Sequence, residues 1–208
     1  ARRFNAATPP PKPRPIYTLA DATIATPGNI QAVSAQAKAG KTAFVGAMIA
    51  ATMQPTGDTL GVSSSNPTAA AVVHFDTEQS PYDHHAVITQ ALGRAGCQAP
   101  DWLRSYRLAD VGIADRLGLL RFELAAAQEY HGAIHSVFLD GVADLCHDPN
   151  DSAEARLSPP LLRNGRGMLT SRKTLGRALH GVTRKAVTFL FRRPPRPRPT
   201  PNGSGWRN

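Results

Sequence analysis

The chain has 208 residues, 41% of them hydrophobic, which suffices for one sizeable core or one core with tails. No apolar run is long enough to span a bilayer and no charged-then-apolar leader opens the sequence, so neither a membrane partner nor secretion is expected. The net charge of +9 would suit an anionic partner, but it joins two unlike parts, because every acid lies before residue 155.

Residues 1–15, ARRFNAATPPPKPRP, hold five prolines and no acid, the composition of an extended linker. The start at Ala1 rather than Met suggests a fragment, an excised domain or a processed terminus. An entry strand and a turn at Pro27-Gly28 are expected next, then a short strand over Ile30–Ser34. From Lys41 to Met53 the sequence is apolar on nearly every side, as a buried helix requires. Residues 55–70 are rich in Gly, Ser, Thr, Asn and Pro and predict an irregular excursion or hairpin.

Ala71–Phe75 (AVVHF) predicts a strand that closes on Asp76-Thr77-Glu78. Ser80 and Pro81 form an N-cap and first-turn proline for a helix that stops near Gly93 or Gly96. A short strand is expected around Ser105–Leu108. Ile113, Leu117, Leu120, Leu124 and Ala127 then fall at helical spacing within 113–130. Ile134–Leu139 is a further apolar strand ending on Asp140. Strands alternating with helices over 16–155 predict an α/β fold, a three-layer domain whose mainly parallel sheet is covered on both faces.

Three motifs carry chemistry. Ala35-Gln36-Ala37-Lys38-Ala39-Gly40-Lys41-Thr42 fits the phosphate-binding loop G-x-x-x-x-G-K-[ST], with Ala in place of the first Gly. Such a loop needs backbone N–H groups around the phosphates and a lysine reaching the β- and γ-phosphates. It also needs a hydroxyl for magnesium. A strand before it and a buried helix after it give the context the motif requires; a chance Gly-Lys-Thr at a helix start is the bland alternative. Val137-Phe138-Leu139-Asp140 matches a Walker B strand, whose carboxylate orders magnesium, generally through water. Any buried strand ending in a turn-forming Asp would look the same. Glu78, after the preceding strand, shares that sheet rim and can polarise an attacking water; the simpler role is that Asp76 or Glu78 merely starts the turn before Ser80-Pro81.

On these residues the segment 16–155 resembles the RecA-like ATPase core of the RepA/DnaB-type hexameric replicative helicases, a group often labelled AAA-family ATPases. GNIQAVSAQAKAGKTAF, VVHFDTEQS and VFLDGVADL are similar to that group in order and spacing. In AAA+ proteins proper the glutamate adjoins the Walker B aspartate; here Asp140 is followed by Gly141, and Glu78 holds the RecA-like place. The resemblance implies a P-loop NTPase fold, with Lys41 and Thr42 on phosphate and magnesium, Asp140 supporting the metal and Glu78 as base. It also implies Mg–ATP hydrolysis that drives translocation on single-stranded DNA, in the context of mobile-element replication, by a homo-oligomer that can be a hexamer. A nucleotide-gated DNA-binding or regulatory ATPase without unwinding, and a truncated inactive fragment, stand as alternatives.

Other features say less. Asp144, Asp148, Asn150 and Asp151 follow Walker B and could sense the γ-phosphate or approach DNA, or merely shape a loop. Asp83, His84 and His85 invite a metal reading, but adjacent histidines on a helix point to different faces. His74 lies in a strand expected to be buried. Cys97 and Cys146 lack CxxC partners, and reduced cysteines fit a cytoplasmic protein.

The chain changes character after Glu154. Residues 1–155 hold 11 Lys/Arg and all 15 Asp/Glu, a balance of −4; residues 156–208 hold 13 Lys/Arg and no acid. At the earlier frequency, 53 residues without an acid arise by chance about 0.5% of the time. A basic arm for nucleic acid, a solvated disordered tail and translation out of frame compete as explanations, and the abruptness favours the last. The sheet is accordingly expected to be incomplete on its C-terminal side. One weak helical stripe, Leu175, Leu179, Val182 and Ala186, precedes a run of Arg and Pro.

Overall fold

The computed structural model describes residues 5–34, 36, 39–53, 57–145 and the backbone of 186–191. Residues 5–15 carry no helix or strand and are exposed. The expected entry strand is a hairpin, β1 (Tyr17–Leu19) and β2 (Ala22–Ala25), turning at Ala20 and Asp21 with positive φ. The other edge of β1 takes β4 (Val62–Ser64) from the Gly/Ser-rich excursion, giving a small antiparallel sheet in the order β2-β1-β4.

The remaining strands build a second sheet in the order β3-β8-β7-β5-β6. They are β3 (Ile30–Ser34), β5 (Ala71–Asp76), β6 (Leu103–Arg107), β7 (Ile134–Asp140) and β8 (Ala186–Phe191). β5 lies between β7 and β6 and is parallel to both. β8 is antiparallel to β7 and to β3, so β3 runs in the same sense as the parallel three. The helices are α1 (Lys41–Ala51), α2 (Pro81–Ala95) and α3 (Ile113–His131).

Alternation along the strands sorts the core onto two faces. Val72 and Phe138 pack with Val45, Met48 and Ile49 of α1, Ala91 of α2 and Tyr17 of the small sheet. Val73, Phe75, Val137 and Leu139 face the other way, onto Leu120, Leu124 and Ala127 of α3. All six residues of β5 are buried, as a central parallel strand covered on both faces demands. Each large apolar side chain so buried contributes about 1.5–3 kcal/mol. The result is an α/β architecture with helices on both faces of a mainly parallel sheet.

Local signals account for the helix limits. Ser80 caps α2 by accepting from the Asp83 amide, Pro81 occupies its first turn, and Gly96 ends it in the left-handed region. Within α3 the buried stripe includes Arg116, which hydropathy alone would place outside.

The expectations for the tail need correction at one place. A disordered segment and an incomplete sheet were the reading for 156–208, with Ala186 ending a helical stripe, yet Ala186–Phe191 is a strand inserted between β3 and β7. AVTFLF is β-branched and aromatic, a composition that suits a sheet better than a helix, and the slot between two strands of like sense gives it a partner on each side. Leu175, Leu179 and Val182 lie outside the described residues, as does the rest of the basic segment.

Candidate active site at the sheet rim

Because β3, β5 and β7 run in one sense, their C-terminal ends meet on one rim, where functional loops of parallel sheets gather. The three sequence motifs end there. Of the phosphate-loop residues, Gln36, Ala39, Gly40, Lys41 and Thr42 are described, and Ala35, Ala37 and Lys38 are not. The Ala39 amide donates to the Gln36 carbonyl at 3.2 Å, a turn that brings the chain to α1. Gly40 then takes φ 83°, a backbone conformation that favours glycine, and a Cβ there would meet nothing within 4 Å among the described residues. It caps α1 without a side-chain hydrogen bond, and no acid occupies the first turn. Lys41 and Thr42, both half-buried, begin the helix.

Asp76 and Asp140 are register partners at the ends of β5 and β7, on the face that α1 and α2 cover. Both are buried, but their surroundings differ. Asp76 Oδ1 accepts from the amides of Glu78 and Gln79, each at 3.0 Å, while Oδ2 lies 3.2 Å from His84 Nδ1. Burial alone would raise the Asp76 carboxyl; the His84 contact and the two amides outweigh it and hold the group below the usual carboxylate range. At Asp140 burial leads, and the nearby Asp76 and Glu78 carboxylates add to it, so the carboxyl is pushed up to about 6 against the pull of Lys41 and the Gly141 amide.

Thr77 binds the two strand ends together. Its amide donates to the Asp140 carbonyl at 3.2 Å. Its Oγ1 lies 3.0 and 2.9 Å from the carbonyls of Asp140 and Gly141 and 3.1 Å from Asp144 Oδ2, with one hydroxyl hydrogen to share among them. Gly141 makes this approach possible. A Cβ at 141 would collide with Thr77 Oγ1 and come within 2.9 Å of Glu78 Cγ, at φ 82°. Position 141 therefore has no room for a side chain, and Glu78 stands beside it from the neighbouring strand end. Glu78 itself is exposed at the rim.

The weaker candidates separate. Asp144 serves as a partner of Thr77, on a short 3-10 turn (Val142–Leu145) tethered by Arg116, whose Nη1 donates to the Asp144 carbonyl at 2.8 Å. The same guanidinium donates to the carbonyls of Val111 and Ala109, at 2.9 and 3.2 Å. His84 turns inward to Asp76, whereas His85 is exposed. His74 is buried and stacked on His84; burial lowers it to about 4, with Asp76 pulling it up and His84 adding to the fall. Asp148, Asn150, Asp151 and Cys146 lie outside the described residues. The turn-starting role expected of Asp76 or Glu78 falls to Asp76, which accepts the amides two and three residues on, as an Asx turn. Sequence reasoning missed the bridge through Thr77 and the inward His84, which depend on pairing between distant segments.

Among the described residues no group of three or more His, Cys, Asp and Glu side chains is placed to hold a metal ion on its own. One hydroxyl, Thr42, and one carboxylate, Asp140, are the oxygen donors the motifs offer for a hard divalent cation. No described helix is long and apolar enough to cross a membrane. Comparison with protein-family models, with curated proteins and with solved structures returns no match.

Proposed function

We propose that this rim binds a nucleoside triphosphate, ATP, with Mg2+, and hydrolyses it. What carries the reading is the meeting of the three motifs at one place: Lys41, Asp76 and Glu78 all act electrostatically on Asp140. Motifs spaced far apart in the chain reach one another only when a fold brings them together.

The roles follow from chemistry. The backbone of 35–40 and the first turn of α1 supply N–H donors and a favourable helix dipole for phosphate oxygens. Lys41 offsets charge on the β- and γ-phosphates. Thr42, directly, and Asp140, through water, would hold Mg2+, which would supply neutralisation of the phosphate charge. Glu78 orients a water toward the γ-phosphorus and accepts its proton as the bond to the bridging oxygen breaks, leaving ADP and phosphate. Its exposure gives that water access, and Thr77 fixes the backbone beside it.

Resemblance to replicative helicases extends the reading to a P-loop, RecA-like motor that translocates on single-stranded DNA as a homo-oligomer. Support for that extension is the order of the motifs and the placement of Glu78 after β5.

Steady-state hydrolysis tests the core of the reading. Wild-type protein is expected to release phosphate from Mg–ATP; Lys41→Ala loses nucleotide binding, and Glu78→Gln keeps binding while losing turnover by about 100-fold or more. Folded wild type that hydrolyses no ATP, or Lys41→Ala that hydrolyses as fast, overturns it. Strand-displacement assays decide the extension: hydrolysis without unwinding leaves a nucleotide-gated switch.

A further inference from the structure

His84 has no part in the roles above, yet it is the most heavily engaged histidine on this face. Its Nδ1 lies 3.2 Å from Asp76 Oδ2, and its Nε2 lies 3.1 Å from Ser105 Oγ on β6. Ser105 Oγ is in turn 2.9 Å from His74 Nδ1, and the two imidazoles stack at 5.6 Å with 12° between their planes. His84, Ser105 and His74 thus close a ring of contacts, with Asp76 joined to it through His84, that ties together β5, β6 and α2. With His84 neutral, one proton order satisfies every contact: His74 Nδ1–H donates to Ser105, the Ser105 hydroxyl donates to His84 Nε2, and His84 Nδ1–H donates to Asp76.

We propose that His84 is a positioning residue for Glu78, acting through Asp76. The inference rests on the hydrolytic reading of the rim and deepens it. Asp76 is fully buried, and its two oxygens face in different directions: Oδ1 receives the Glu78 and Gln79 amides, and Oδ2 receives His84. A carboxylate held at one oxygen alone can rotate about its Cβ–Cγ bond or draw in water. Held at both, it fixes the direction of Oδ1 and with it the backbone of 78 and 79. Glu78 is exposed at the rim, and the turn under it sets where its backbone lies. His84 in turn cannot swing away, being pinned by Ser105 and by the stack on His74.

The order Ser105, His84, Asp76 is also that of a nucleophile, base and orienting acid in serine hydrolases. Here Ser105 Oγ is taken up by His74 Nδ1 as well, and His74 is only 1% exposed. The hydroxyl is a link in a closed ring and not a free nucleophile.

The test compares ATP hydrolysis by the full chain and its His84→Ala, His84→Asn, His84→Gln, Ser105→Ala and Lys41→Ala variants. Asn places an amide nitrogen near the position of Nδ1 and keeps the donor to Asp76; the longer Gln reaches toward Ser105 instead. His84→Ala is expected to lose about tenfold or more in kcat with KM within about twofold. His84→Asn recovers to within about threefold of wild type, and His84→Gln does not. Ser105→Ala falls only a few-fold. Should His84→Ala fail to fold, the contrast between Asn and Gln carries the test.

An unchanged kcat in His84→Ala, equal losses in the Asn and Gln variants, or a loss expressed in KM alone overturns the inference while Lys41-dependent hydrolysis leaves the proposed function standing. Absence of Lys41-dependent hydrolysis in the wild type overturns both. Labelling of Ser105 by a fluorophosphonate would overturn it too, by showing a free nucleophile where the ring of contacts places none.

Discussion

Two aspartates close two neighbouring strands in register, and the fold treats them in opposite ways. At the end of β5, Asp76 receives two backbone amides and an imidazole, and its carboxyl is held below the usual range. At the end of β7, Asp140 is buried beside two other carboxylates and is pushed up to about 6. The first arrangement is what a structural clamp needs, since every oxygen has a donor. The second is unfavourable for the folded protein by itself, and in the proposed reading a bound dication would offset it. On that reading stability is concentrated on one side of the register pair and binding chemistry on the other.

Substitutions can break this comparison. The largest effect belongs to the site: Lys41→Ala removes a cation acting on Asp140 and is expected to cost more than about 100-fold in hydrolysis, read as phosphate release. Gly141→Ala comes next, because a methyl group there meets Thr77 and forces a positive φ on alanine; a loss of about 2–4 kcal/mol is expected in denaturant unfolding. Asp76→Ala strands two amides and an imidazole without their acceptor and should cost about 2–3 kcal/mol.

Asp140→Asn has the reverse sign. With the chelator EDTA present and no nucleotide, removing a crowded buried charge is expected to stabilise the protein at pH 7.5 by about 1–2 kcal/mol, even as Mg-dependent hydrolysis is lost. Destabilisation of Asp140→Asn under those conditions would mean that the charge is already compensated within the fold.

The smallest effect sharpens the same contrast through pH. His74, lowered from 6.5 to about 4, binds its proton in the unfolded chain before the folded one, so its contribution to stability is complete above pH 6.5 and is lost as pH falls toward 4. Asp140, raised from 3.8 to about 6, binds its proton more tightly when folded, so its contribution is present at low pH and is lost as pH rises through 6. Between pH 4 and 6 the two slopes oppose each other. Unfolding free energy of the wild type should change little over that window, whereas Asp140→Asn should gain about 1–2 kcal/mol from pH 4.5 to 6.

Much of the fold could be read from the sequence because its signals are local. Ser80-Pro81 and Gly96 mark both ends of α2, and AVVHF and IHSVFLD are too apolar to lie anywhere but in a covered sheet. The lysine, threonine and two acids of the proposed site were visible as motifs for the same reason. What stayed hidden depends on pairing between distant segments. The likeness of Asp76 and Asp140 as register partners requires knowing that β5 and β7 are neighbours. The need for Gly141 arises only when Thr77 crosses over from β5. His84 looked like one of two adjacent surface histidines until α2 was laid over β5 and β6, and β8 looked like part of an acid-free tail because composition averages over the six residues that pair.

The most direct test of the central claim is calorimetric titration of the folded wild-type chain and of Lys41→Ala with a non-hydrolysable ATP analogue, with and without Mg2+. The account predicts saturable binding by the wild type that tightens with Mg2+ and is lost in Lys41→Ala. A folded wild type that binds no nucleotide, or a Lys41→Ala variant that binds it equally well, would contradict the assignment of this rim.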